Sequence, residues 1–155
     1  MGPMDFTGVD FFVADEKREN TDAAELAIAM LYENGIQYWG DHSEGYRQRP
    51  AAMSFLKKCP ADWEDTRFIS GYPGEFVRLA RRSRAGDVWF IGAMSAVAEQ
   101  DVKVPLEFLT NGASYRLELH RDGADKRRIV TDTEVVNSGT VLAIHVLTHG
   151  GGSVG

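Results

Sequence analysis

From residue 66 onward, apolar and polar positions alternate with the period of two that puts successive side chains on opposite faces of a β-strand. Before residue 60 the apolar positions instead recur at helical spacing or in short runs. The clearest alternation is Val102, Val104, Leu106 and Phe108 interleaved with Lys103, Pro105 and Glu107, which predicts one buried and one wet face. Strands are expected over 66–69, 75–81, 88–93, 102–109, 115–120, 128–136 and 140–147. Gly71-Tyr72-Pro73-Gly74 is a turn signal, and Asn111-Gly112, Asp122-Gly123 and Ser138-Gly139 fall at hairpin positions. Pro105 cannot donate to a ladder, so its strand lies at an edge or turns that position outward. The pattern predicts a mainly β fold, an antiparallel sandwich of about seven or eight strands. Its expected interior holds Val77, Leu79, Val104, Leu106, Phe108, Leu117, Leu119, Leu142 and Ile144, with Phe76, Arg78 and Ala80 on the opposite face.

The first 60 residues follow a different grammar. Residues 1–15 are loop-like. Asp22 and Glu25 form a capping pair ahead of a helix over 23–33 that stops at Asn34-Gly35. Leu26, Ile28, Met30 and Leu31 among alanines leave that helix apolar on several sides, and nothing nearby in the chain covers it. Apolar surface around Phe11, Phe12, Met30 and Leu31 is therefore expected to be open in the isolated chain. Residues 36–39 make a short buried strand ended by Gly40-Asp41, and a second helix starts at Pro50 with Ala52, Met53, Phe55 and Leu56. Helix, strand, helix is the alternation of a (β/α)8 barrel, which when complete takes about 250 residues. Residues 1–60 are accordingly expected to be the C-terminal remnant of such a barrel, two helices and one short strand, and 61–155 a β-sandwich domain. Gly150-Gly151-Gly152 reads as a frayed terminus.

Composition narrows the partners more than the fold. A net charge of −6 argues against phosphate binding, and the clusters Arg81-Arg82-Arg84 and Lys126-Arg127-Arg128 read as solvated strand-end charges, so no nucleic-acid partner is expected. No run approaches the roughly 20 apolar residues of a membrane-spanning helix, so none is expected. Cys59, the single cysteine, excludes an internal disulfide and reads as a packing residue at a helix end. Met1 is followed by Gly-Pro-Met-Asp rather than a basic and then apolar stretch, as in the interior of a longer protein.

Trp63-Glu64-Asp65-Thr66-Arg67, then Gly71-Tyr72-Pro73-Gly74-Glu75-Phe76, Ala80-Arg81-Arg82 and Trp89-Phe90-Ile91-Gly92 together resemble the C-terminal region of glycoside hydrolase family 97. Gly2-Pro3-Met4-Asp5-Phe6-Thr7 is similar to a Gly-Pro-Met-Asp-Tyr-Thr segment late in that family's catalytic barrel, and residues 104–109 resemble its strand ending in Phe-Leu. Asn34-Gly35 departs from the family's common Ser-Pro. The resemblance implies an α-glucosidase or α-galactosidase parent whose catalytic and calcium-binding glutamates lie upstream, so that no calcium is expected here. It also implies a partnership with the rest of the barrel, an α-linked oligosaccharide substrate for the parent, a possible homo-oligomer, and a periplasmic or secreted location.

Glycoside hydrolysis needs two facing carboxylates. Asp5, Glu33 and Asp41 are nearest the expected barrel strand, but they fall in turns and at a helix end, where caps and solvated groups are commoner. His42, His120, His145 and His149 lack metal-ligand spacing, and a lone strand histidine is ordinarily half exposed. Ser43, Ser70 and Ser114 lack a nucleophile elbow, and the glycine run precedes no helix. No catalytic, cofactor-binding or metal residue is therefore assigned to this chain. Tyr38, Trp39, Tyr46, Trp63, Tyr72 and Trp89 are the rings available for sugar stacking, with Trp89 expected in the core. Two functions follow: an inactive C-terminal part of an α-glycosidase that serves structure or oligomerisation, or a non-catalytic carbohydrate-binding sandwich.

Overall fold

The computed structural model describes residues 6–11 and 18–155. The chain runs β1 (Phe6–Gly8), α1 (Asp22–Leu31), β2 (Gln37–Trp39), α2 (Ser43–Arg47), α3 (Pro50–Lys58), then β3 (Trp63–Tyr72), β4 (Phe76–Ser83), β5 (Trp89–Ser95), β6 (Gln100–Pro105), β7 (Tyr115–Asp122), β8 (Ile129–Val136), β9 (Val141–Val146) and β10 (Gly150–Val154). β1 and β2 pair in parallel with α1 between them, the βαβ arrangement that parallel strands require. The remaining strands form an antiparallel six-stranded sheet in the order β3-β4-β5-β10-β7-β8 and a two-stranded layer of β6 and β9.

The two layers enclose a core of Ala80, Ile91, Val102, Val104, Leu106, Leu117, Leu119, Leu142, Ile144 and Val146. The strict alternation over 102–106 is borne out, and Phe108 is partly buried against the same core. Val77 and Leu79 are not in it. They pack on the other side of the sheet, with the helices, while Ala80 faces the sandwich interior. β4 carries apolar side chains on both faces because both are covered, and alternation alone cannot rank two buried faces.

The cover on that second face is α1. All ten of its residues are buried, and it lies across β10, β5 and β7. Met30 is 0% and Leu31 8% exposed, so the expected open surface there does not exist; Phe11 is buried too, and Phe12 lies outside the described residues. The glycine run, expected to fray, is the central strand β10, paired with β5 on one side and β7 on the other. A Cβ at Gly151 would stand 2.7 Å from Ala24 Cα, and one at Gly92 would stand 2.2 Å from Met30 Sδ. Two adjacent strands thus present bare backbone to the helix, which is how α1 seats so deeply.

Smaller corrections concern the N-terminal unit. The helix cap is Thr21, whose Oγ1 accepts from the Ala24 amide at 3.0 Å, rather than Asp22, and α1 ends at Leu31. β1 is too short for a periodic signal and occupies a stretch expected to be loop, and α2 adds a short helix where no element was expected. β2 is not buried among the described residues, since Tyr38 is 58% exposed. α3 begins at Pro50 as expected and closes at Cys59, whose thiol burial pushes up to about 12.

Candidate functional site

Glu33 lies between α1 and β2, and Asp41 just beyond β2, so the two carboxylates stand at opposite ends of one strand; Asp5 is outside the described residues. Asp41 Oδ2 accepts from the Phe11 amide at 3.1 Å, and the Asp41 amide donates to the Tyr46 hydroxyl oxygen at 3.1 Å. That hydroxyl donates to the Val9 carbonyl at 3.1 Å, and burial pushes its pKa up. Asp41 is therefore a clip between the loop after β1 and α2. Among the described residues no three His, Cys, Asp or Glu side chains converge as a metal site.

Buried charge is spent on joining the N-terminal unit to the sandwich. Asp22, fully buried, pairs with Arg18 and with Arg49 Nε at 2.6 Å. Glu25 accepts from Asn20 Nδ2 at 3.1 Å. Arg127 donates to the carbonyls of Arg18 and Asn20 and Lys126 to that of Glu19, so these two exposed, solvated side chains also clamp the chain entering α1. Arg81 is also no solvated charge. It is 4% exposed and donates to the carbonyls of Leu31 at 3.2 Å and Tyr32 at 3.3 Å, where a cation complements the helix dipole. Burial holds its pKa below the usual value. Arg84 does stay exposed, against Asp62 at 2.9 Å.

The four histidines do not meet. His120 is 1% exposed, against the half-exposed expectation, because α3 covers it: its ring meets the Phe55 ring at 5.5 Å and its Nδ1 lies 3.1 Å from Thr131 Oγ1. Burial pushes its pKa down. His145 lies 2.9 Å from Asp101, and His149 3.4 Å from Glu19. Asp122, expected only in a hairpin signal, is a buried anchor that accepts from the amides of Leu147 at 2.8 Å and Gly151 at 2.9 Å. It holds the turn into β10, and burial pushes its carboxyl up.

A cleft of about 680 Å³ opens at the end of α1. Leu31, Val77 and Met94 line it together with the rings of Tyr32, Phe68, Tyr72 and Phe76, and Glu19, Asn20, Glu75 and His149 add polar groups. Phe68 is 67% and Tyr72 62% exposed. The β3–β4 turn that carries Tyr72 is closed by Gly74 at φ +80 and by the Glu75 amide donating to the Tyr72 carbonyl. Of the six rings singled out from sequence, only Tyr72 reaches this cleft. Trp39, Tyr46 and Trp63 pack against the helical core, Tyr38 is exposed elsewhere, and Trp89 is half buried on Phe108 at 4.7 Å. Tyr32 and Phe68 were invisible as partners because they sit on separate elements.

A family model described as glycosyl-hydrolase 97 C-terminal, oligomerisation, matches residues 62–155. The chain is 38% identical over 151 residues to a probable retaining alpha-galactosidase of Streptomyces bingchenggensis, covering 97% of this chain and 23% of that protein. It is 26% identical over 164 residues to a retaining alpha-galactosidase of Bacteroides thetaiotaomicron, covering 97% and 24%. The chain thus spans about a quarter of the length of the curated relatives it matches. Among solved structures it superposes with TM-score 0.88 and 25% identity on a glycoside hydrolase family 97 enzyme in complex with acarbose from Pseudoalteromonas sp. strain K8, covering 99% of this chain and 26% of that one. A beta-arabinopyranosidase superposes with TM-score 0.81 at 26% identity, covering 99% and 25%.

Proposed function

The chain belongs to glycoside hydrolase family 97, matching its C-terminal domain, and from that premise we propose that it is the C-terminal portion of an α-glycosidase in which it serves structure and assembly while hydrolysis takes place upstream. The observation that carries this reading is the 38% identity running along 97% of the chain into a probable retaining alpha-galactosidase. The geometry supports it from the other side. Glycosidases set two carboxyl groups about 5 to 9.5 Å apart across the scissile bond, whereas Glu33 and Asp41 bracket a strand and Asp41 is engaged in the clip to Phe11. On this reading the proton donor, its partner carboxylate and the calcium ligands that the family resemblance implies belong to earlier barrel strands. The proposed substrate is an α-linked galactoside, after the relatives' descriptions, and the proposed assembly is a homo-oligomer, after the family's.

The test is to assay the longer protein that carries this chain on aryl α-galactosides and aryl α-glucosides. The expected result is turnover with the galactoside preferred by kcat/KM. Failure on both, or cleavage of β-linked substrates only, overturns the assignment.

A further inference from the structure

We propose that the cleft at the end of α1 seats one amphipathic helix of the upstream barrel, the crossover helix that leads into β1. The inference rests on the reading above, that a longer protein supplies the earlier barrel units. It follows from the order in which a barrel lays down its helices. β1 and β2 are parallel neighbours joined through α1, and such crossovers are almost always right-handed, so successive helices stand side by side in the order of their strands. α3 follows β2 and stands on one flank of α1, over β7, where Phe55 meets His120. The helix that precedes β1 belongs on the opposite flank.

On that flank the six-stranded sheet continues from β5, which α1 partly covers, into β4 and β3. The cleft is lined by Asn20, just before the first turn of α1, by Leu31 in its last turn and by Tyr32 just after it. Ten helical residues rise about 15 Å, and packed helices lie about 8 to 10 Å apart. A concavity of about 680 Å³ therefore takes the inner stripe of one helix and leaves the rest standing proud. Leu31, Val77 and Met94, with Phe68 and Tyr72, offer the continuous apolar contact that an i, i+3, i+4 stripe buries. Glu19 and Glu75, which also line it, call for Lys or Arg flanking that stripe.

The test is thiol labelling of Tyr72→Cys with a maleimide dye, in the 155-residue chain and in the longer protein. Cys59 is buried with its thiol pushed up to about 12, so it stays silent in the folded chain. Val135→Cys, on the exposed face of β8, is the control that labels alike in both. The expected result is fast labelling of Tyr72→Cys in the chain and labelling about tenfold slower or more in the longer protein, since only local opening then exposes the thiol. Equal rates overturn the proposal, as does protection already present in the chain alone. Protection that grows with protein concentration means a second copy is the occupant, and protection by an α-linked oligosaccharide means a sugar is; either result also overturns it. Failure of the underlying reading shows separately, as a longer protein with no barrel upstream.

Discussion

Gly151→Ala adds one methyl group where β10 passes beneath α1. The new Cβ would stand 2.7 Å from Ala24 Cα, 3.1 Å from Ala24 N and 3.0 Å from the Ala93 carbonyl oxygen, all of them backbone atoms that no rotamer change can move. Ordinary carbon contacts lie at about 3.5 to 4.0 Å, so the helix must lift by about 1 Å. Overpacking of this kind costs about 1 to 3 kcal/mol. Without the helix above it the same substitution would stabilise the fold by about 0.4 to 1 kcal/mol, because alanine restricts the unfolded chain. The sign therefore decides whether β10 is a frayed end or a buried strand. Gly35→Ala is the control, since nothing lies within 4 Å of its Cβ. Denaturant unfolding followed by tryptophan fluorescence should give a lower midpoint for Gly151→Ala at unchanged m-value. Its Tm should fall by about 2 to 4 °C for each kcal/mol. A variant as stable as the parent chain, or more so, refutes the packing of α1 on β10.

Other perturbations probe other parts of the fold. Leu106→Ala, which empties a fully buried core position, should cost about 2 to 5 kcal/mol in the same unfolding experiment. Arg81→Ala leaves the carbonyls of Leu31 and Tyr32 without their charged donor and should cost about 1.5 to 3 kcal/mol, with faster amide exchange in the last turn of α1. Burial holds the folded pKa of His120 below the ordinary value of about 6.5, so as pH falls the unfolded chain takes up this proton first and stability declines below that pH. Unfolding at pH 7.5 and 5.5 should then show His120→Leu losing less stability on acidification than the parent chain, and equal losses would contradict the assignment.

The sandwich strands were legible because a sheet face buried on one side writes a period of two into its sequence, as at Val102, Val104 and Leu106. The helices at 22–31 and 50–58 were legible from apolar spacing and from Pro50. What the sequence hides is who covers whom. α1 finds its partner in β10, more than a hundred residues later, and β10 is built on three glycines with no side chain to carry a pattern. The same contact reverses the faces of β4, since Val77 and Leu79 turn toward the helices. Arg81 and Arg127 look like solvent-facing charges until the carbonyls they serve are brought to them by the fold. The cleft draws Tyr32, Phe68 and Met94 from three elements and has no linear signature. The family resemblance was legible throughout, carried by short motifs around the joint at residues 60–82, and the match over residues 62–155 falls on that region.

On the proposed function, these 155 residues stabilise and assemble an α-glycosidase whose catalytic carboxylates lie elsewhere in the longer protein. The most direct measurement is hydrolysis of aryl α-galactosides and α-glucosides by the purified chain, with and without added calcium, beside the longer protein at equal molarity. The expected result is no turnover by the chain under either condition and cleavage of at least one substrate by the longer protein. Turnover by the chain that disappears in Glu33→Gln or Asp41→Asn would contradict it and place the catalytic pair within this fold.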